Sequence, residues 1–162
     1  MSASDRSDQA HWDEVYAKTT VEQTGWFEES PTVSLSLIDH CKLGPDDTVL
    51  DVGAGASSLA ATLIERGVGG VSVLDISERA LDALRDRLGP AKAERVQFVH
   101  ADVTDPTALE AVPPLQLWHD RAMLHFLIED DQCARYAEAV NAAVAPGGYA
   151  LLATYALHGA PT

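Results

Sequence analysis

VLDVGAGASSLA, residues 49–60, changes its local character twice. The run Thr48–Val52 predicts a short buried strand, because β-branched and aliphatic residues in sequence suit a sheet covered on both faces. Gly53-Ala54-Gly55 predicts a tight turn whose backbone can approach a neighbour or a ligand closely. Over 57–66 the residues Leu59, Ala60, Leu63 and Ile64 recur at helical spacing, and Gly67 supplies a stop. Strand, glycine turn and helix make the first half of a βαβ unit. The free N–H groups at the helix start face the carboxyl end of the strand, where open α/β sheets bind ligands.

The same alternation continues outward. VSVLD (71–75), VQFVH (96–100), LQLWH (115–119) and YALLATYA (149–156) predict four further strands. Ser77 can cap a helix whose stripe is Leu81, Leu84 and Leu88 and which Gly89-Pro90 ends. A helical turn is expected near 106–111. A helix is expected over 130–144, led by Asp130 and Asp131 and stopped by Pro146-Gly147-Gly148. Upstream, residues 1–9 read as a polar tail and His11–Tyr16 as a short helix with Trp12, Val15 and Tyr16 on one side. A second helix starts at Pro31 or Thr32, carries Val33, Leu35, Leu37, Ile38 and Cys41, and ends at Gly44-Pro45. Short strands alternating with helices imply right-handed crossovers and a doubly wound, mostly parallel α/β sheet of about five strands. No linker divides the chain, so residues 1–162 are expected to form a single domain whose core spans 48–157.

Composition narrows the partners. The 162 residues carry 11 Lys and Arg against 25 Asp and Glu, a formal charge of −14. That sign opposes a nucleic-acid backbone or an anionic membrane as partner. Two cysteines, Cys41 and Cys133, make no disulfide framework and suit a reducing, cytoplasmic setting. The polar start MSASDRSDQAHWDE has no signal-peptide character, and no apolar run approaches the ~20 residues of a membrane span. The histidines at 11, 40, 100, 119, 125 and 158 lack ligand spacing, so no metal site is expected.

Three acids sharpen the expectation. Asp51 lies in the first strand, Asp75 ends the second and Asp102 follows the third. Each alone also reads as a turn former or a cap. Together at one rim they would repel a diphosphate and suit a ligand with no phosphate and some positive charge. A dinucleotide fingerprint would need a third glycine where Ser58 stands. An NAD-dependent oxidoreductase is therefore the alternative rather than the first reading.

VLDVGAGAS, VLDIS, HADVTD, LWHDRAMLHF and APGGYALLATY resemble the motifs of class I S-adenosylmethionine-dependent methyltransferases, from Trp12 to Tyr155. The resemblance implies a Rossmann-like fold, S-adenosyl-L-methionine as cofactor and S-adenosyl-L-homocysteine as product. It implies that Gly53 and Gly55 back onto the methionine part. Asp75 would hold the ribose hydroxyls and Ile76 would pack on adenine. Asp102 would accept from the adenine amino group, with Val103 beside the ring. Asp51 would order the loop or meet the methionine amino group through water, and His119 would sit beside the methyl group. Residues 11–44 would form a helical lid. Trp26 is the first choice for a lid contact with the sulfonium by cation–π attraction, whereas Trp12 and Tyr16 are expected against the sheet.

The sulfonium is an activated donor, so the protein mainly aligns nucleophile, methyl and sulfur for in-line displacement. Should the nucleophile arrive protonated, His119, Asp120 and His125 are the candidate bases, and Arg121 could clamp a substrate carboxylate. The Pro-Pro-aromatic motif of nucleic-acid amine methyltransferases is missing after the fourth strand, which favours a small-molecule acceptor. Members of the family continue with a C-terminal antiparallel hairpin that is absent before Thr162. The fifth strand should then be a sheet edge open to homodimer pairing. The short C-terminus also raises a second alternative, a catalytically impaired cofactor-binding or assembly module.

Overall fold

The computed structural model describes residues 9–20 and 23–154. Five strands lie in one sheet in the order β3-β2-β1-β4-β5, where β1 is Thr48–Val52, β2 Gly70–Asp75, β3 Val96–His100, β4 Leu115–Arg121 and β5 Val144–Ala153. All four pairings are parallel, and β1 sits at the centre between β2 and β4. The order reverses beside β1, so the crevice above its carboxyl end is the topological switch point.

Alternation along the strands feeds two cores. Val49, Val71, Val73 and Leu117 face one side, where they meet α2 (Thr32–Cys41), α3 (Leu59–Glu65) and α4 (Glu78–Leu88). Leu50, Val52, Leu74 and Trp118 face the other side, against Tyr136 of α6 (Asp130–Ala143) and the segment around Leu109. Ser77 caps α4 by accepting from the Ala80 N–H at 3.2 Å, and the Leu81, Leu84 and Leu88 stripe is buried as expected. At its other end α4 stops at Gly89, but Pro90 begins a further one-turn helix, α5 (Pro90–Ala93), where its missing N–H and fixed φ suit a first helical position.

Other boundaries move for identifiable reasons. The first helix, α1, runs Gln9–Lys18, wider than the 11–16 expected, so Gln9 is helical while the rest of the predicted tail lies outside the described residues. Residues 106–111 form successive turns rather than a helix. Asp105 accepts from both the N–H and the hydroxyl of Thr107, at 2.8 and 2.7 Å, and this local bonding competes with a helical start. The last helix stops at Ala143, one residue early, and β5 begins at once with Val144 opposite Leu115. Residues 145–148 bulge out before Tyr149 pairs with Leu117. The strand expected to reach residue 156 is followed to Ala153, and 155–156 lie outside the described residues. Within the described sheet β5 is an edge, with Tyr149 and Leu152 half exposed.

The region 11–44 divides. α1 and the segment around Trp26 lie over the crevice, while α2 is laid against the sheet through Leu35 and Ile38.

Candidate functional site

Two adjoining hollows open above the carboxyl ends of β1, β2 and β4. The first is lined by Gly53, Asp75, Ile76, Asp102 and Val103 on the sheet side and by Trp12, Tyr16, Trp26 and Phe126 above. The second is lined by Asp51, Gly53, Ser57, Glu28 and His119. Tyr16, Trp26, Gly53 and Arg121 border both, so the two hollows lie side by side.

The glycine turn is the partition. Gly53 has φ +61°, and a Cβ there would meet the Met123 side chain at 2.6 Å. Gly55 has φ +53°, and a Cβ there would strike the Tyr16 hydroxyl. Both positions combine a left-handed backbone with no room for a side chain, which leaves glycine.

Asp75 is 7% exposed and accepts from the Gly55 N–H at 2.8 Å and the Ser77 N–H at 2.9 Å. Burial pushes its carboxyl up to about 6. The two amides and His100 pull the other way, and the Asp51 charge adds to the rise. Asp102 is exposed into the first hollow, and one of its oxygens accepts from the Thr104 N–H and hydroxyl, both at 2.8 Å. Two carboxylates and the buried Val103 therefore share one hollow with the Ile76 side chain.

The second hollow has a different support. Asp51 lies 2.7 Å from His119 Nδ1 and accepts from the Ser57 hydroxyl at 3.0 Å. His119 Nε2 lies 2.9 Å from the Ser34 hydroxyl of α2. With His119 neutral and its proton on Nδ1, the imidazole donates to Asp51 and accepts from Ser34. Asp51, His119 and Ser34 are each at most 3% exposed. His119 thus borders the second hollow with both ring nitrogens already bonded.

Asp120 is turned the other way by the strand's two-residue period. It accepts from the Tyr136 hydroxyl at 2.7 Å and from the Met123 and Leu124 N–H groups at 3.0 and 3.4 Å. Burial pushes its carboxyl up while these donors pull it down. The same Tyr136 oxygen accepts from the Trp118 indole at 2.9 Å. Asp120 lines neither hollow. It props the turn that carries Ala122 at φ +69° and puts Met123 and Phe126 into the wall. His125 also lines neither hollow; its ring tilts against Phe126 with centroids 4.1 Å apart, and burial lowers its pKa. Asp120 and His125 thus stand behind the residues that line the two hollows.

Trp12 and Tyr16, expected against the sheet, instead roof the first hollow beside Trp26. Trp12 makes edge contacts with Trp26 and Phe126 at centroid distances of 5.6 and 4.8 Å. Asp13 ties α1 down by accepting from the Ser77 hydroxyl at 2.6 Å. Met123, Phe126 and Leu127 complete the wall without having been singled out, since nothing local separates a wall residue from a core one. Arg121 pairs with Glu28.

A family model described as a methyltransferase domain matches residues 49–148, more than half of the chain. A protein solved in connection with the conversion of a disulfide bond into a thioacetal group during echinomycin biosynthesis is 26% identical, with a TM-score of 0.71 over 89% of this chain and 60% of that one. The glycopeptide N-methyltransferase MtfA, solved with S-adenosyl-L-methionine, shares the fold at 23% identity and a TM-score of 0.60, over 78% of this chain and 55% of that one. Ribosomal RNA small subunit methyltransferase A of Streptomyces griseus is 34% identical over 83 residues, 50% of this chain and 28% of that protein. The chain spans about a quarter of the length of the curated relatives it matches and about 60% of the echinomycin-pathway structure.

Proposed function

The chain belongs to the methyltransferase-domain family, and on that premise we propose that it binds S-adenosylmethionine across the two hollows and transfers the methyl group to a small-molecule acceptor. The observation that carries this reading is the pair of carboxylates, Asp75 and Asp102, in one hollow beside the glycine turn. A nucleoside with vicinal hydroxyls and an amino group offers donors to both, and it brings no phosphate for them to repel. That charge pattern favours a sulfonium nucleoside over NAD.

In this reading Asp75 accepts the ribose hydroxyls, and Ile76 and Val103 hold the adenine between them. Asp102 faces the adenine amino group. The methionyl arm crosses Gly53 and Gly55 into the second hollow, whose floor is Asp51. Trp26 and Tyr16 roof the sulfonium, where aromatic faces attract positive charge. The protein's contribution is alignment of nucleophile, methyl and sulfur under a roof that excludes water, and orientation of this kind can supply ~7 to 11 kcal/mol of a barrier. His119 holds Asp51 in place. The formal charge of −14 disfavours RNA as the acceptor, and two free cysteines suit the cytoplasm.

Calorimetric titration with S-adenosylhomocysteine tests the reading. The wild type should bind it, and Asp75→Asn should weaken binding at least about tenfold while the melting curve stays cooperative, since hydrogen bonds to a charged acceptor are lost. Equal affinity in the variant would remove the ribose assignment.

A further inference from the structure

Arg121 closes β4 at the junction of the hollows and borders both. It is the one Lys or Arg among their lining residues, which otherwise include Asp51, Asp75, Asp102 and Glu28. Its side chain is 22% exposed. A guanidinium this far out of water needs an anion that meets its fork, preferably through two parallel hydrogen bonds. Among the described residues it has a single ion pair, from Nη1 to Glu28 Oε1 at 3.5 Å, which is too long for a good hydrogen bond. Glu28 itself is 45% exposed, so this partner can retreat into solvent at little cost.

We propose that Arg121 is a carboxylate-binding residue, held at rest by Glu28 and taken over by a carboxylate of the bound ligand. The exchange is between like groups: one carboxylate leaves the fork as another enters, so the acid-rich crevice gains no unpaired charge at that point. The inference rests on the S-adenosyl reading of the hollows. The incoming group is either the α-carboxylate of the S-adenosyl ligand, reaching Arg121 from the second hollow, or a carboxylate of the acceptor.

Three proteins and two kinds of measurement decide it. Wild type, Arg121→Gln and Glu28→Gln are titrated with S-adenosylhomocysteine and with its decarboxylated counterpart, the aminopropyl thioether of adenosine. The Arg121 Nε–H signal in a nitrogen-15 spectrum, assigned by its loss in Arg121→Gln, is then followed. The additions are S-adenosylhomocysteine first and then benzoate, with benzamide as the uncharged control. If the ligand's own carboxylate is the partner, the wild type prefers S-adenosylhomocysteine at least about tenfold over the decarboxylated form, as expected for a charge-assisted pair. Arg121→Gln then levels the two, Glu28→Gln tightens the first, and the Nε–H signal moves on its addition. If the acceptor supplies the carboxylate, Arg121→Gln leaves that preference unchanged and the signal moves with benzoate but not with benzamide.

An unaltered preference in Arg121→Gln together with a signal silent to both carboxylates overturns the proposal. Failure of the underlying reading shows separately, as no S-adenosylhomocysteine binding by the wild type. The benzoate titration of the free protein then decides for Arg121 alone.

Discussion

Asp51, one residue before the end of β1, and Asp75, the last residue of β2, are both buried and both border the crevice, yet they are held in opposite ways. Asp75 takes its two donors from the main chain, at Gly55 and Ser77. Asp51 takes its donors from side chains, His119 and Ser57, and His119 leans in turn on Ser34, 85 positions away. A backbone donor comes with the fold and survives any side-chain change that leaves the turn intact. A side-chain donor depends on each member of the chain of bonds. The first hollow is therefore built to tolerate substitution around its acid, and the second is not.

The hardest blow to the comparison is His119→Phe. It strips the buried Asp51 of its nearest partner and leaves the Ser34 hydroxyl facing a ring, and it should lower unfolding stability by about 3 kcal/mol in urea titrations. A loss below about 1 kcal/mol would mean that Asp51 is as independent as Asp75.

Next comes pH. Asp75 is raised to about 6 by burial, above its unfolded value of 3.8, so the free protein is relieved of this group's desolvation penalty as pH falls through about 6. A ligand whose hydroxyls need the ionised carboxylate should behave in the reverse sense. S-adenosylhomocysteine affinity should be level above pH 7 and about tenfold weaker at pH 5, one unit below that value. Calorimetry across that range checks it, and a flat profile would dissociate Asp75 from the ligand.

The smallest effect sharpens the picture of the second hollow. Ser34→Ala removes only the outermost bond and should cost about 1 kcal/mol of stability. If the bond chain acts as one unit, the same substitution in a His119→Phe background should cost close to nothing, which a double-mutant cycle measures.

The same contrast explains what the amino-acid sequence disclosed. The strands are legible because a sheet covered on both faces demands predominantly apolar runs, as in VLDV and VSVLD. Asp75 was legible because a strand-end acid following a glycine turn has a fixed place in this topology. The partners of His119 and Asp120 were not. They stand side by side, and only the strand's two-residue period, together with what α2 and α6 happen to present, decides that one meets Ser34 and the other Tyr136. The roof position of Trp12 and Tyr16 is not legible in the sequence, because an apolar helix stripe looks the same against a sheet and over a cavity. Gly89-Pro90 is an end for α4 and, through Pro90, a beginning for α5.

The all-parallel order of the sheet bears on how the chain reaches this state. No neighbouring strands can be zipped by a hairpin, since each pairing must wait for a crossover to be in place. The joint between β1 and β4 is a long-range one: Asp51 and His119 are 68 positions apart. Closing that span costs the chain more entropy than the β1–β2 or β2–β3 closures. Contacts of this separation also slow the search for the native topology. The β1–β4 seam, which sets the floor of the second hollow, thus closes over a longer stretch of chain than either seam on the other side of β1, and a nascent chain cannot form it until β4 has been made.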